Sequence, residues 1–137
     1  MLTSEMQLIL KLSTLQSKMT KQIDGQLSIH GISYTEFMVL YQLNLAPNKS
    51  MRRIALAESI GLSASGVTRL LAPMEKIKLV SKESNKRDAR VSLVKLTKTG
   101  QQYLQDALVS FEQVSESLTK SINGQQVNQL YKLIDQL

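Results

Sequence analysis

Apolar residues recur every three or four positions from Leu8 through Leu12, Leu15, Met19 and Ile23 to Leu27. That period is the signature of a long amphipathic helix. The segment SIHGIS breaks it, and Ser33 with Glu36 then forms an S-x-x-E capping box. Behind the box, FMVLYQLNLA reads as a second, largely buried helix ending before Pro47. A third, short helix is predicted over MRRIALAESI and stops at Gly61, and Ser63 caps a fourth, SASGVTRLLAPMEKIK. Two strands follow, at about 79–84 and 91–96, joined by SNKRDARVS. Thr97 opens a long helix whose stripe is Leu104, Ala107, Leu108, Phe111, Val114, Leu118 and Ile122. NGQQ interrupts, and Val127, Leu130, Tyr131, Ile134 and Leu137 mark a last helix. The order is α-α-α-α-β-β-α-α, a mainly α fold with one small β-hairpin, in a single domain over residues 1–137.

The third and fourth helices have the residue types of a helix-turn-helix. Ala57 is small enough for close approach, and Gly61, four later, suits the left-handed turn. Val67 fills the space beneath, with Leu56, Ile60, Leu62 and Leu70 around it. A plain helical hairpin is the alternative. At roughly 100° per residue, Val67, Leu70, Leu71 and Met74 fall on one side of the fourth helix. Ser65, Arg69 and Lys76 fall opposite, flanked by Gly66 and Thr68. Its exposed N-terminal positions are therefore small and hydrogen-bonding, with one arginine. Such an end suits a DNA major groove, where Arg reads guanine and Ser or Thr adapts. Ser63 reads first as a cap, with a DNA contact as its second role. Pro73, inside this helix on the exposed side, predicts a kink.

Charge sharpens the picture. The net charge of +6 is concentrated in residues 49–98, which hold twelve Lys/Arg against four Asp/Glu. A confined basic block points to a polyanion partner. Within it Lys49, Arg52, Arg53 and Lys76 are candidate phosphate contacts. The stretch joining the strands adds Lys86, Arg87 and Arg90, with a single acid, Asp88, among them. A turn-forming Asp is one reading of Asp88. The other is a carboxylate that hydrogen-bonds the Arg90 guanidinium and holds it in one pose.

Several function classes find no support. There is no cysteine, so disulfides and thiol redox chemistry are excluded. No metal-binding, nucleophile-elbow or phosphate-loop motif occurs, and His30, the sole histidine, has no acidic neighbour in sequence. We expect no catalytic residue, no metal and no cofactor. No apolar run reaches the roughly eighteen residues of a membrane span. The N-terminus lacks a basic leader, so no signal peptide is read and a cytoplasmic protein is expected.

The features IALAESIGLSASGVTRLLAPMEKIKLV, the strand pair enclosing RDAR, and VKLTKTG opening a long helix resemble the MarR family of bacterial winged-helix regulators. The most specific part is D-x-R in the hairpin followed by L-T-x-x-G, and the similarity runs along essentially the whole chain. The resemblance implies a winged helix-turn-helix in an intertwined homodimer. Residues 1–32 and 99–137 would be dimerisation helices and 33–98 the DNA-binding region. It implies that the fourth helix, through Ser63, Ser65, Gly66, Thr68 and Arg69, enters the major groove of double-stranded DNA. Arg90 would reach the minor groove from the wing, steadied by Asp88 and flanked by Lys86 and Arg87. It further implies a repressor more readily than an activator, a palindromic operator, and release by a small aromatic or phenolic effector. His30, Tyr34 and Phe37 lie where such a pocket would form, although core or dimer contacts are the simpler reading of them. Family members usually carry Gly where this chain has Lys78. A left-handed C-cap at a non-glycine residue costs roughly 1 kcal/mol, so the first wing strand is expected to begin differently. The competing function is a winged-helix module that binds protein. It would keep the Ala57, Gly61 and Val67 packing without needing Arg69 or a basic wing.

Overall fold

A computed structural model describes residues 1–137. Helix α1 spans Ser4–Leu27, capped by the Thr3 hydroxyl, which accepts from the Met6 amide. Of its predicted stripe only the C-terminal end is buried: Ile23 and Leu27 enter the core, while Leu8 and Leu15 stay 49% and 41% exposed. Helix α2, Tyr34–Leu45, starts at the predicted capping box, with Ser33 and Glu36 each accepting from the other's amide. Asp24 of α1 accepts from the Tyr34 amide at 2.6 Å, which ties the two helices at that end.

The third helix is shorter than its apolar run suggests. Ser50–Arg52 forms a strand, β1, and α3 covers only Arg53–Ile60. Three residues are too few for alternation to declare itself. The strand exists because Met51 pairs with Val94 across the sheet, with Ser50 opposite Lys95 and Arg52 opposite Leu93. Helix α4 is Ala64–Lys76, β2 is Val80–Ser84 and β3 is Ser92–Leu96. All pairing is antiparallel, in the order β1-β3-β2. The chain reaches β2 through Lys78, whose φ is +63°. Lys78 and Leu79 donate back to the Glu75 and Met74 carbonyls, closing the helix as a glycine would. Helix α4 runs through Pro73 as one uninterrupted segment, with Pro73 itself on the exposed side. The missing proline N–H leaves the Arg69 carbonyl without its helical donor.

Helix α5, Lys98–Leu118, is capped by Thr97, whose side chain accepts from the Gly100 amide and donates to the Lys78 and Leu79 carbonyls. Gly100 is buried where any Cβ would collide with the Leu79 carbonyl oxygen and lie 2.6 Å from Leu96 Cδ1. The L-T-x-x-G pattern is thus a clamp that seats α5 on the start of β2. The NGQQ segment begins the last helix rather than interrupting it. Asn123 and Gln126 form a reciprocal capping box at the head of α6, Gly124–Asp135. The break lies just upstream, so Ile122 falls outside both helices.

One cluster of nineteen buried side chains joins α1, α2, α3, α4, the sheet and α5. Helix α6 contributes none, and all of residues 119–137 are exposed. No single helix is long and apolar enough to cross a membrane.

Candidate nucleic-acid interface

The α3 and α4 axes differ in direction by 102°. Gly61 makes that turn with φ +71°, and the Leu62 amide donates to the Ala57 carbonyl at 2.9 Å. Ala57 and Val67 are buried at 3% and 1% exposure and belong to the same core cluster, as the helix-turn-helix packing requires. The opposite face of α4 is free. Ser63 caps it by accepting from the Gly66 amide at 3.1 Å and lies 3.3 Å from the Ser65 hydroxyl. A Cβ on Gly66 would stand 3.1 Å from that cap oxygen, so glycine lets the first turn close tightly. Thr68 donates to the Ala64 carbonyl, and Arg69 is exposed and outside all three ion pairs of the chain. Its guanidinium is available to a partner.

The hairpin tip is organised by two side chains. Asn85 Oδ1 accepts from the Arg87 and Asp88 amides at 2.8 and 3.3 Å, folding the tip on itself. Asp88 Oδ1 then accepts from the Arg90 amide at 3.0 Å and from Nε at 3.1 Å, while Oδ2 accepts from Nη2 at 3.3 Å. These two-pronged hydrogen bonds, first from the guanidinium and then from the backbone, hold the Asp88 carboxyl below its ordinary range, and the nearby charge of Arg52 adds to them. The Arg90 side chain is meanwhile 91% exposed. A cation fixed at its base and bare at its end is suited to insertion into a narrow anionic groove. Asn85 was not legible as a tip organiser, although an Asn at the mouth of a short charged turn is the available signal.

The four candidate phosphate contacts divide. Arg53 is turned inward: Nη2 meets Glu75 Oε1 at 2.8 Å, Nη1 lies 3.5 Å from the Thr68 hydroxyl, and its side chain is 19% exposed. Lys82 of β2 joins the same carboxylate at 3.9 Å. Arg53 therefore braces α3, α4 and the sheet, a role hidden in sequence because Glu75 is twenty-two residues away. Lys76 is exposed at the C-terminal end of α4, about 18 Å along the axis from its first turn. Lys49 Nζ donates to the Asn44 side chain at 3.0 Å, and Arg52 is exposed beside the hairpin.

His30, Tyr34 and Phe37 do come together, but against α5 and packed. His30 Nε2 lies 2.8 Å from the Ser110 hydroxyl. Phe37 is 3% exposed, and its ring centroid is 4.8 Å from that of Phe111 and 6.3 Å from that of Tyr34. Burial raises the Tyr34 hydroxyl above its ordinary pKa.

A tight helix pair with a polar exposed second helix, followed by a basic antiparallel hairpin, defines a winged helix-turn-helix protein. The MarR family model matches residues 32–92, a stretch that spans this helix pair and the hairpin. The chain is 25% identical over 123 residues to the transcriptional repressor MprA of Escherichia coli K12, covering 90% of this chain and 70% of that one. It is also 22% identical over 120 residues to the HTH-type regulator YhbI of Bacillus subtilis, covering 88% and 77%. Among solved structures it is similar to a mutant MarR from E. coli complexed with operator DNA. The TM-score there is 0.83 at 22% identity, covering 91% of this chain and 89% of that one. A Streptomyces coelicolor MarR family regulator in complex with DNA superposes with TM-score 0.86 at 21% identity, covering 98% and 86%.

Proposed function

We propose that this protein is a transcriptional regulator that binds a near-palindromic double-stranded DNA site as a homodimer, acting as a repressor. The observation that carries the reading is the Asp88–Arg90 pair, a pre-positioned and solvent-facing arginine on a basic tip beside the polar face of α4. A protein-docking winged helix has no need of a carboxylate that orders one exposed guanidinium. In this reading Arg69, Ser65 and the α4 N-terminus contact base edges and phosphates of the major groove. Arg90 enters the flanking minor groove, and Lys86 and Arg87 meet phosphates.

The dimer part of the reading is supported by α6, which has no buried residue but exposes Val127, Leu130, Tyr131, Leu133 and Ile134. Helix α1 exposes Met6, Leu8, Ile9 and Leu10 likewise, and Leu2 just before it is also exposed. Apolar surface on this scale is covered in a stable soluble protein, and a two-fold partner covers both ends at once. Release by a small aromatic molecule would act at the Tyr34–Phe37–Phe111 cluster, which links the DNA-binding region to α5. Mobility shifts against genomic fragments, with and without added salt, test the reading. Saturable retardation of a subset of fragments at moderate salt is expected. Equal retardation of all fragments, abolished by salt, would leave only nonspecific charge.

A further inference from the structure

The sheet has an outer face that the recognition helix does not use and that meets the wing tip only at Asn85 and Lys86. Val94 and Leu96 point into the core, so Leu93 and Lys95 point out. Directly paired residues share a face, which puts Ser50 beside Lys95 and both Arg52 and Glu83 beside Leu93. With the turn before β1 and the start of the hairpin tip, these residues form an open groove of about 840 Å³. Four cations line it, Lys49, Arg52, Lys86 and Lys95, against the single acid Glu83. Arg52, Lys86, Lys95 and Glu83 all stand outside the ion pairs of the chain. The groove therefore carries a concentrated net positive charge.

A second observation is independent of charge. The Ser50 hydroxyl is buried without any hydrogen-bond partner, and it is the chain's only buried side-chain polar atom in that state. Buried hydroxyls normally have partners, and this one, on a strand residue that lines the groove, has none within the chain. Cationic heads plus a spare hydroxyl donor match the oxygens of a phosphate.

We propose that this outer groove is a phosphate-binding site, distinct from the α4 face and the Arg90 tip. The phosphate has two candidate sources. One is the DNA backbone beyond the segment gripped by the wing, since Arg52 and Lys86 make the groove continuous with the tip; that source rests on the DNA-binding reading. The other is a free phosphorylated small molecule, which does not depend on it.

Lys95→Gln separates these sources, because Lys95 is exposed and its loss leaves the core intact. In one arm, inorganic phosphate and pyrophosphate are titrated into the full chain and followed by phosphorus NMR. In the other, a duplex extending well past the protected site and one trimmed to its edge are titrated at two salt concentrations. A free-phosphate site predicts saturable binding that Lys95→Gln weakens at least tenfold. A DNA-flank site predicts that Lys95→Gln lowers the salt slope by about one on the long duplex and leaves the trimmed duplex unchanged. Either result supports the site and names its source. If the wild-type chain binds neither duplex, the DNA reading fails and the phosphate titration alone decides the groove. No Lys95-dependent change in either arm overturns the proposal.

Discussion

Asp88 directs both carboxylate oxygens to Arg90, and this choice sets the expected behaviour of the wing. Arg90→Ala is expected to weaken operator binding by about 1–3 kcal/mol and to relax preference at the outer flank. Lys86→Ala should weaken all sequences about equally and lower the salt slope by about one. Asp88→Ala removes a negative charge from the interface, which alone would tighten binding. Because the carboxylate orders Arg90, we expect affinity for the specific site to fall instead. Titrations of the three variants at two salt concentrations check this, and tighter specific binding by Asp88→Ala would reduce Asp88 to a turn residue. The Asp88 pKa is depressed in the folded chain, so the pairing is present above the ordinary aspartate value of 3.8 and is lost only as pH falls through the lower folded value. The ordering of Arg90 should accordingly be insensitive to pH across the neutral and mildly acidic range. Lys78 gives a second residue-scale expectation. Its φ of +63° is a conformation glycine adopts freely, so Lys78→Gly should raise stability in urea by up to about 1 kcal/mol. The greater freedom of glycine in the unfolded chain offsets part of that gain.

At the scale of elements, the wing and α5 are coupled through Thr97 and Gly100 rather than through apolar packing alone. Gly100→Ala would drive a methyl into the Leu79 carbonyl, a backbone atom that cannot swing aside. A loss of about 1–3 kcal/mol is expected in chemical denaturation. The same coupling explains what could be read from sequence and what could not. The α3–α4 turn was legible because Ala57, Gly61 and Val67 have fixed spacing and distinct sizes. The Asp88–Arg90 pair was legible because its partners are two residues apart. Strand β1 was not, since three residues carry no period and the partners that make it a strand lie more than forty positions away. The pairing of Arg53 with Glu75 was hidden for the same reason, because that carboxylate is on another helix. The head of α6 was placed wrongly because NGQQ carries turn residues, yet Asn123 and Gln126 use their side chains to cap. Local chemistry declares itself in sequence; contacts closed by the fold do not.

At the scale of the whole molecule, the helices at the two ends of the chain each expose apolar residues that one copy leaves open. Sedimentation at micromolar concentration should give about twice the 15.3 kDa chain mass. Charged substitutions on the open face of α6, such as Leu130→Glu with Ile134→Glu, should lower that mass while the 33–98 region keeps its fold. A stable wild-type monomer that still bound DNA tightly would remove the two-fold dimer from the account. A two-fold dimer would set the geometry of recognition. Two copies of α4, related by a two-fold axis, would enter successive major grooves on one side of the duplex. Hydroxyl-radical footprinting on a site selected from genomic DNA tests this most directly. The account predicts two-fold symmetric protection, with half-site centres about 10 base pairs apart and minor-groove protection just outside each. A single asymmetric protected segment, or protection that does not depend on sequence, would contradict it.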